Sequence, residues 1–139
     1  MADYVVTSTS VLSTDLNAVV DTTKNAGVAI TAGQAVYYDT ATGTYKLAQA
    51  TLNTAANRVT GIALNTAAIG QPVVVLTKGI LTLNAVLTSR SMVVLSGAAA
   101  GGVAPHADLV TNIATWYPCF IGIPLSTSTL YVLPYGTGI

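Results

Sequence analysis

The sequence predicts an all-β domain: a small β-barrel or sandwich built from two similar β units, with an extended N-terminal arm. Short runs of Val, Ile, Leu and Tyr recur between turns rich in Gly, Asn, Asp and Thr, at the ~8–12 residue spacing typical of barrels and sandwiches. The order of the runs in 31–83 recurs, with few identities, from about 91 to 136. Hydrophobic residues make up 52% of the 139 residues, which is enough for a sizeable core in one domain.

Residues 1–26 differ in composition from the rest and form the predicted arm, while 27–139 form the predicted β-barrel domain. The first segment carries three of the five aspartates and many Thr and Ser residues. Apolar residues at Leu12, Leu16 and Val19 have some helical spacing, which the polar run DTTKN interrupts. Two interpretations stay open: an arm that orders only when something holds it, or a first strand of the domain.

The first β unit contains six predicted strands, the last two of them in one hairpin. GVAITAG, AVYYD and TYKLAQA predict three strands, the last two joined by a hairpin loop at 39–43 in which the aspartate accepts backbone N–H groups and Gly43 takes positive φ. VTGIAL predicts a strand in which Gly61 leaves room for a close backbone. VVVLTKGILTL predicts a buried hairpin with Lys78 and Gly79 at its tip.

The second unit repeats this order. SMVVLSG corresponds to AVYYDTA, and AAAGGVAPHA stands where ATGTYKLAQA stood. CFIGIPLSTS corresponds to RVTGIALNTA, so that Gly122 matches Gly61 and Leu125 matches Leu64, and TLYVLPYG corresponds to PVVVLTKG. The sequence therefore predicts a duplication whose two halves share one core.

The charge content argues against several classes of function. Only 7% of the residues are charged, five basic and five acidic, and the net charge is zero. Because binding to nucleic acid needs clustered Lys and Arg, we expect no nucleic-acid partner. The longest apolar stretch is interrupted by Ser and Gly, so we expect no membrane span, and the N-terminus lacks the features of a signal peptide. A surface so poor in charge favours association and therefore predicts a protein that works in an assembly.

Few residues could carry out chemistry. The chain has one His, one Cys and no Glu. His106 and Asp108 would share a face if they lay on a strand, but a loop after Pro105 is the favoured interpretation, and we expect no enzyme. Cys119 lies in an apolar run and is predicted to be an inert buried thiol. We also expect no metal and no cofactor, since these residues form no ligand cluster.

The runs AGQAVYYDTATGTYKLAQA and VTGIALNTAAIGQPVVVLTKGILTL resemble the phage capsid decoration (cement) proteins of the small β-barrel type. The shared pattern is a Gly-x-x-Val-Tyr strand, a Gly-Ile-Ala-Leu strand, a Gly-x-Pro-Val turn and a Gly-Ile pair. In this chain these elements lie at 33–37, 61–64, 70–73 and 79–80. With GIPLSTS and YVLP, which are similar to the closing half of the family, the resemblance covers about 27–135.

The resemblance implies a virion protein on the outer surface of the capsid that bridges adjacent subunits of the major capsid protein and is not an enzyme. It implies self-association as a homotrimer, or alternatively a homodimer, and an N-terminal arm that contacts the capsid. Tyr and Trp near the C-terminus are favoured at interfaces, although a core position is equally open for them. The candidate interface residues are Tyr4, Val5, Val6, Leu12, Leu16, Trp116, Tyr117 and Tyr135.

A different class of function also fits the sequence. The chain would then be an exposed head-fibre or adhesin-like binding module that contacts glycans on a host surface through its loops at 97–102 and 39–43.

Overall fold

The computed structural model of the protein describes residues 3–4, 6, 13, 15–51, 55–83, 87–88 and 90–136. This part of the chain forms nine strands, one short α-helix and a 3-10 turn at Ala55–Asn57. The elements are β1 (Val19–Asn25), β2 (Ala35–Asp39), β3 (Thr44–Leu47), β4 (Gly61–Ala63), β5 (Pro72–Thr82), β6 (Val93–Leu95), β7 (Val103–Pro105), α1 (His106–Thr111), β8 (Cys119–Pro124) and β9 (Thr129–Gly136). The prediction of an all-β fold is confirmed.

The sheet is antiparallel and its strand order is symmetric. The strands follow one another as β3-β2-β4-β5-β9-β8-β6-β7, and β1 pairs with β5 off this path. In each half a hairpin (β2–β3 or β6–β7) pairs through its first strand with the next strand (β4 or β8), which pairs with the last (β5 or β9). The two last strands pair with each other at the centre. The two similar β units that the sequence predicted therefore lie in one sheet.

The hairpin turn at 39–43 has the predicted chemistry. The Asp39 carboxylate accepts the N–H of Ala41 at 3.1 Å, and its carbonyl accepts the N–H of Gly43 at 2.8 Å. Gly43 has a φ of 69°. The Lys46 ammonium lies 2.8 Å from the Asp39 carboxylate, which joins the two strands beyond the turn.

The predicted hairpin at Lys78 and Gly79 is wrong, because β5 is one strand of 11 residues that passes through both. Gly79 has a φ of 137°, a conformation that allows the side chains to change faces without turning the chain. Leu76 before it and Leu81 after it both reach the main core, although residues five apart in a regular strand point to opposite faces.

The apolar interior consists of two clusters. The larger one contains Leu76, Leu81 and most buried side chains of the second unit, and the smaller one lies within the first unit and contains Val36, Tyr45 and Val75. Strand β4 and the residues of β2 and β5 that pair with it are therefore buried on both faces, with neighbouring residues such as Ala35 and Val36 in different clusters.

The segment 1–26 contains a strand of the domain, which was one of the two interpretations left open. β1 pairs along β5, and its end joins β3 through a bridge between Ala26 and Tyr45. Each β1 side chain is exposed or half-buried, so backbone pairing and a few polar contacts hold the strand. Before β1, the Ser13 hydroxyl donates to the Ile80 carbonyl at 2.8 Å, and the Asp15 carboxylate accepts the Ile80 N–H at 3.1 Å. These two hydrogen bonds extend the contact between the N-terminal segment and β5 along the edge that β1 occupies.

Candidate interaction surface

One surface feature of the described chain is an apolar row across three strands, in which two isoleucines are exposed and the tyrosine between them is half-buried. Ile80 on β5 pairs with Tyr131 on β9, and Tyr131 pairs with Ile123 on β8. Directly paired residues project from the same face of a sheet. Leu130 and Val132, the neighbours of Tyr131 along β9, are fully buried on the opposite face. The row Ile80–Tyr131–Ile123 therefore points away from the core.

Further apolar side chains extend this row along the strands. Leu133 lies two residues beyond Tyr131 on β9 and is 51% exposed, and Leu125 follows Ile123 at the end of β8 and is 56% exposed. We call these five residues (Ile80, Ile123, Leu125, Tyr131 and Leu133) the outer sheet face. None of the five is charged at neutral pH. A contiguous apolar surface of this kind marks an interaction site more often than a scatter of single exposed residues does.

The outer sheet face was not among the candidate sites predicted from the sequence. CFIGIP and TLYVLPYG are apolar at almost every position, a pattern typical of strands buried on both faces. A β-bulge between Phe120 and Gly122 interrupts the simple alternation of faces along β8. Ile121 is therefore buried, whereas Ile123, two residues further on, is 55% exposed. Alternation alone could not have found this surface.

The predicted interface residues lie in several different places. Trp116 is buried in the main core and Tyr117 is half-buried, with its N–H donating to the Ala50 carbonyl at 2.8 Å. Leu16 is fully exposed in the turn that precedes β1. Val5 and Leu12 lie outside the described residues, and of Tyr135 only the backbone, which pairs with Phe120, is described.

The two predicted N-terminal contacts that are described pack on the domain itself. The Tyr4 N–H donates to the Val103 carbonyl at 2.9 Å, and the Tyr4 hydroxyl accepts the N–H of Thr88 at 3.2 Å. Tyr4 and Val6 both pack against the main core and are half-buried. Leu16 is therefore the predicted N-terminal contact residue that the described structure leaves open to solvent.

The stretch PHADL forms the start of α1 rather than the expected loop. Residues two apart on a helix point about 200° apart, so His106 and Asp108 do not share a face as they would on a strand. The His106 ring stacks on Phe120 at 6.1 Å between centroids, while Asp108 is 2% exposed. Within the described part of the chain, Asp108 Oδ1 has no hydrogen-bond partner, and burial raises the pKa of this carboxyl.

A polar cluster joins β1 to the first hairpin. The Tyr45 hydroxyl donates to the Asp21 carboxylate at 2.8 Å, and the Lys24 ammonium lies 2.6 Å from the same group and 5.0 Å from the centre of the Tyr38 ring. The hydrogen bond from Lys24 lowers the pKa of Asp21, while burial and the bond to Asp21 raise the pKa of Tyr45. Each group is satisfied by its neighbours, so this cluster serves to hold β1 in place.

A cleft of about 360 Å³ lies where the N-terminal segment meets the loops of the two units. Its lining includes Asp3, Thr31, Gln34 and the backbone of 99–102. The Asp3 carboxylate accepts the Ser96 hydroxyl at 2.6 Å. The loop at 97–102 is fixed at its base, because Gly101 is buried and hydrogen-bonded to both Ala35 and Ala48, while 98–100 are exposed.

No group of three or more His, Cys, Asp or Glu side chains in the described ranges is placed to hold a metal ion. The helix of the described chain is too short to cross a membrane. Cys119 is buried as predicted, and burial raises the pKa of its thiol.

Comparisons of the chain with protein-family models, with curated proteins and with solved structures find no match. The fold and the surface define its class: an all-β protein of two similar units in one antiparallel sheet, with an exposed apolar sheet face.

Proposed function

We propose that the chain is a structural virion protein that binds the outside of an assembled phage capsid and stabilises it by bridging adjacent subunits of the major capsid protein. The observation that carries this proposal is the outer sheet face, an uncharged apolar surface on a chain in which only 7% of the residues are charged. Such a surface is favourable when it is permanently covered in an assembly and promotes association when it is free. The resemblance of the sequence to capsid decoration proteins is the reason for proposing a phage capsid as this assembly.

The mechanism follows from multivalent binding. A chain that contacts two neighbouring capsid subunits binds the second at a high effective concentration once it holds the first, so weak contacts add up to firm attachment. Because such a bridge forms only on the assembled shell, binding stabilises the shell against dissociation by mass action. Self-association, as a homotrimer or a homodimer, would multiply the number of contacts per particle.

The N-terminal segment is the proposed point of contact with the capsid. Since β1 is held by its pairing with β5, the contact is placed in the residues before it, where Leu16 is fully exposed. Burying a leucine side chain contributes about 2 kcal/mol, which repeated copies of the contact would multiply.

The test uses capsids prepared without this protein. We expect the purified chain to co-sediment with expanded capsids and to raise the temperature at which they release their genome. A protein of similar size from the same preparation serves as the control for trapping in the pellet. If genome release occurred at the same temperature with and without the bound chain, bridging would be contradicted, and if the chain did not co-sediment, attachment itself would be.

A head-fibre or adhesin-like module that binds host glycans is the second candidate. The observation that favours it is the cleft between the units, where the carboxylate of Asp3, the hydroxyl of Thr31 and the amide of Gln34 could bind sugar hydroxyls. Binding to a glycan array that is lost in Gln34→Ala, with unchanged heat resistance of the capsid, would favour this function over the first.

A further inference from the structure

We propose that the outer sheet face is a two-fold interface with a second copy of this chain, so that the free protein is a reversible homodimer. The proposal deepens the self-association included in the proposed function, but it is tested without a capsid. It depends on the arrangement of the row Ile80–Tyr131–Ile123 and on the area that this face can bury.

The row is chemically palindromic. Tyr131 lies at its centre on β9, and an isoleucine flanks it on each side, Ile80 on β5 and Ile123 on β8. In a two-fold interface, residue i contacts residue j of the second copy and j contacts i. A two-fold axis in the interface plane and parallel to β9 places Ile80 against Ile123 of the second copy, and Tyr131 against Tyr131. The same axis places Leu133 against Leu133.

None of the five residues of the outer sheet face carries a charge. When two copies of the face meet, apolar surface is removed from water, and the Asp15 carboxylate beside the row keeps the N–H of Ile80 as its partner. Tyrosine is favoured at the centre of interfaces because it adds a large apolar area at a low entropic cost. Two sheets packed face to face lie about 10 Å apart, a distance that side chains of this size fill.

The exposed area sets the expected strength of the interface. Four aliphatic side chains that are about half exposed, together with the Tyr131 ring, give on the order of 500 Å² per copy, or about 1,000 Å² in total. That total is at the threshold for a specific interface and below the standard size of about 1,600 Å². We therefore expect a dimer with a dissociation constant in the micromolar range rather than an obligate one.

The first experiment compares two isoleucine-to-lysine variants by sedimentation equilibrium of the full chain. Ile123 is 55% exposed within the outer sheet face, whereas Ile113 is 62% exposed beyond the end of α1 and outside this face. We expect the wild type and Ile113→Lys to dimerise alike and Ile123→Lys to dissociate at least 30-fold more readily. Equal loss in both variants, or none in either, would overturn the assignment of this face.

The second experiment tests the symmetry and remains informative if a lysine variant fails to fold. Single cysteines are introduced in a Cys119→Ala background and treated with a bismaleimide whose reach is about 10 Å, the distance between packed sheets. We expect Tyr131→Cys and Leu133→Cys each to cross-link to themselves. Ile80→Cys should cross-link to Ile123→Cys when the two chains are mixed, and only weakly to itself.

Other patterns of cross-linking contradict the proposal. A trimer by mass, or efficient linkage of Ile80→Cys to itself without linkage to Ile123→Cys, excludes the two-fold arrangement. A monomer at millimolar concentration excludes self-association through any face. None of these results bears on attachment to the capsid, since co-sedimentation measures that separately.

Discussion

Gly61 and Gly122 occupy equivalent positions in the two halves of the sheet. Gly61 pairs with Val36 of β2, and Gly122 pairs with Val93 of β6. A Cβ atom on Gly61 would overlap the carbonyl oxygen of Leu76, and one on Gly122 would overlap the carbonyl oxygen of Tyr131. In both halves the neighbouring strand approaches too closely for any side chain.

Alanine at either position should therefore destabilise the protein strongly. We expect Gly61→Ala and Gly122→Ala each to lower the free energy of unfolding by about 2–3 kcal/mol, since the blocking atom belongs to the backbone and cannot rotate away. Urea unfolding followed by the fluorescence of the buried Trp116 measures this. A loss under 1 kcal/mol in either variant would show that the strands can separate at that point.

Gly101 provides a test of the contact between the two units. Its N–H donates to the Ala48 carbonyl at 2.7 Å and its carbonyl accepts the Ala35 N–H at 2.8 Å. Its φ is 75°, and a Cβ would lie 2.9 Å from Leu47 Cδ2. We expect Gly101→Ala to destabilise by about 2–3 kcal/mol, through strain and crowding together.

The matched control is Gly70→Ala, because Gly70 has a φ of 83° and a Cβ there would meet nothing within 4 Å. Strain alone should then cost about 1 kcal/mol. Equal losses in the two alanine variants would mean that the loop at 97–102 yields without disturbing the first unit.

The sequence predicted the repeated order of strands better than their exact limits. Turn chemistry at Asp39 and the close approach at Gly61 depend on local residue types, so they could be read directly. The hairpin at Gly79 could not be distinguished from a change of face within one strand, because both use a glycine at positive φ. Aligning the sequence SMVVLSG with AVYYDTA makes Met92 the equivalent of Val36. In the structure Val93 is the equivalent residue, because Val93 pairs with Gly122 as Val36 pairs with Gly61.

The candidate surface was harder to predict than the fold. A strand with apolar residues on both faces does not reveal which face another element covers, and this is settled by distant pairings such as that of Ile80 with Tyr131. The same limit applies to Trp116, for which the sequence allowed either a core or an interface position and which lies in the core.

The bond between Tyr45 and Asp21 predicts a dependence of stability on alkaline pH. Burial and this bond raise the pKa of Tyr45, so the folded state holds a proton that the unfolded state loses above about pH 10. The stabilisation is complete below pH 10 and declines as the pH rises further. We expect Tyr45→Phe to be about 1.5 kcal/mol less stable at pH 7, and this difference to shrink between pH 10 and 11. A constant difference in urea unfolding across that interval would contradict the role of the bond.

The buried carboxyl of Asp108 predicts a substitution that stabilises the protein, in contrast to Tyr45→Phe. Burial raises the pKa of its carboxyl, so the folded state favours the protonated form and is penalised as the pH rises through this raised value. We expect Asp108→Asn to gain about 1 kcal/mol of stability at pH 7. Below about pH 4, where the carboxyl is protonated in both states, the gain should disappear. Thermal unfolding at pH 3.5, 5 and 7 measures the trend, and a gain that did not depend on pH would exclude the carboxyl charge as its cause.

Leu16 gives the most direct test of attachment to the capsid. It is fully exposed and belongs to the turn that the Asp15 carboxylate fixes against Ile80, so its replacement should not affect the fold. We expect Leu16→Asp to weaken co-sedimentation with capsids at least tenfold while the unfolding midpoint stays the same, because a charge would have to be buried where an apolar contact was made. Ile69→Asp is the matched control, since Ile69 is 72% exposed in the turn between β4 and β5. If both variants bound the capsid as the wild type does, the contact would have to lie elsewhere on the domain, and the helix end at Val110 and Ile113 would be the next surface to test.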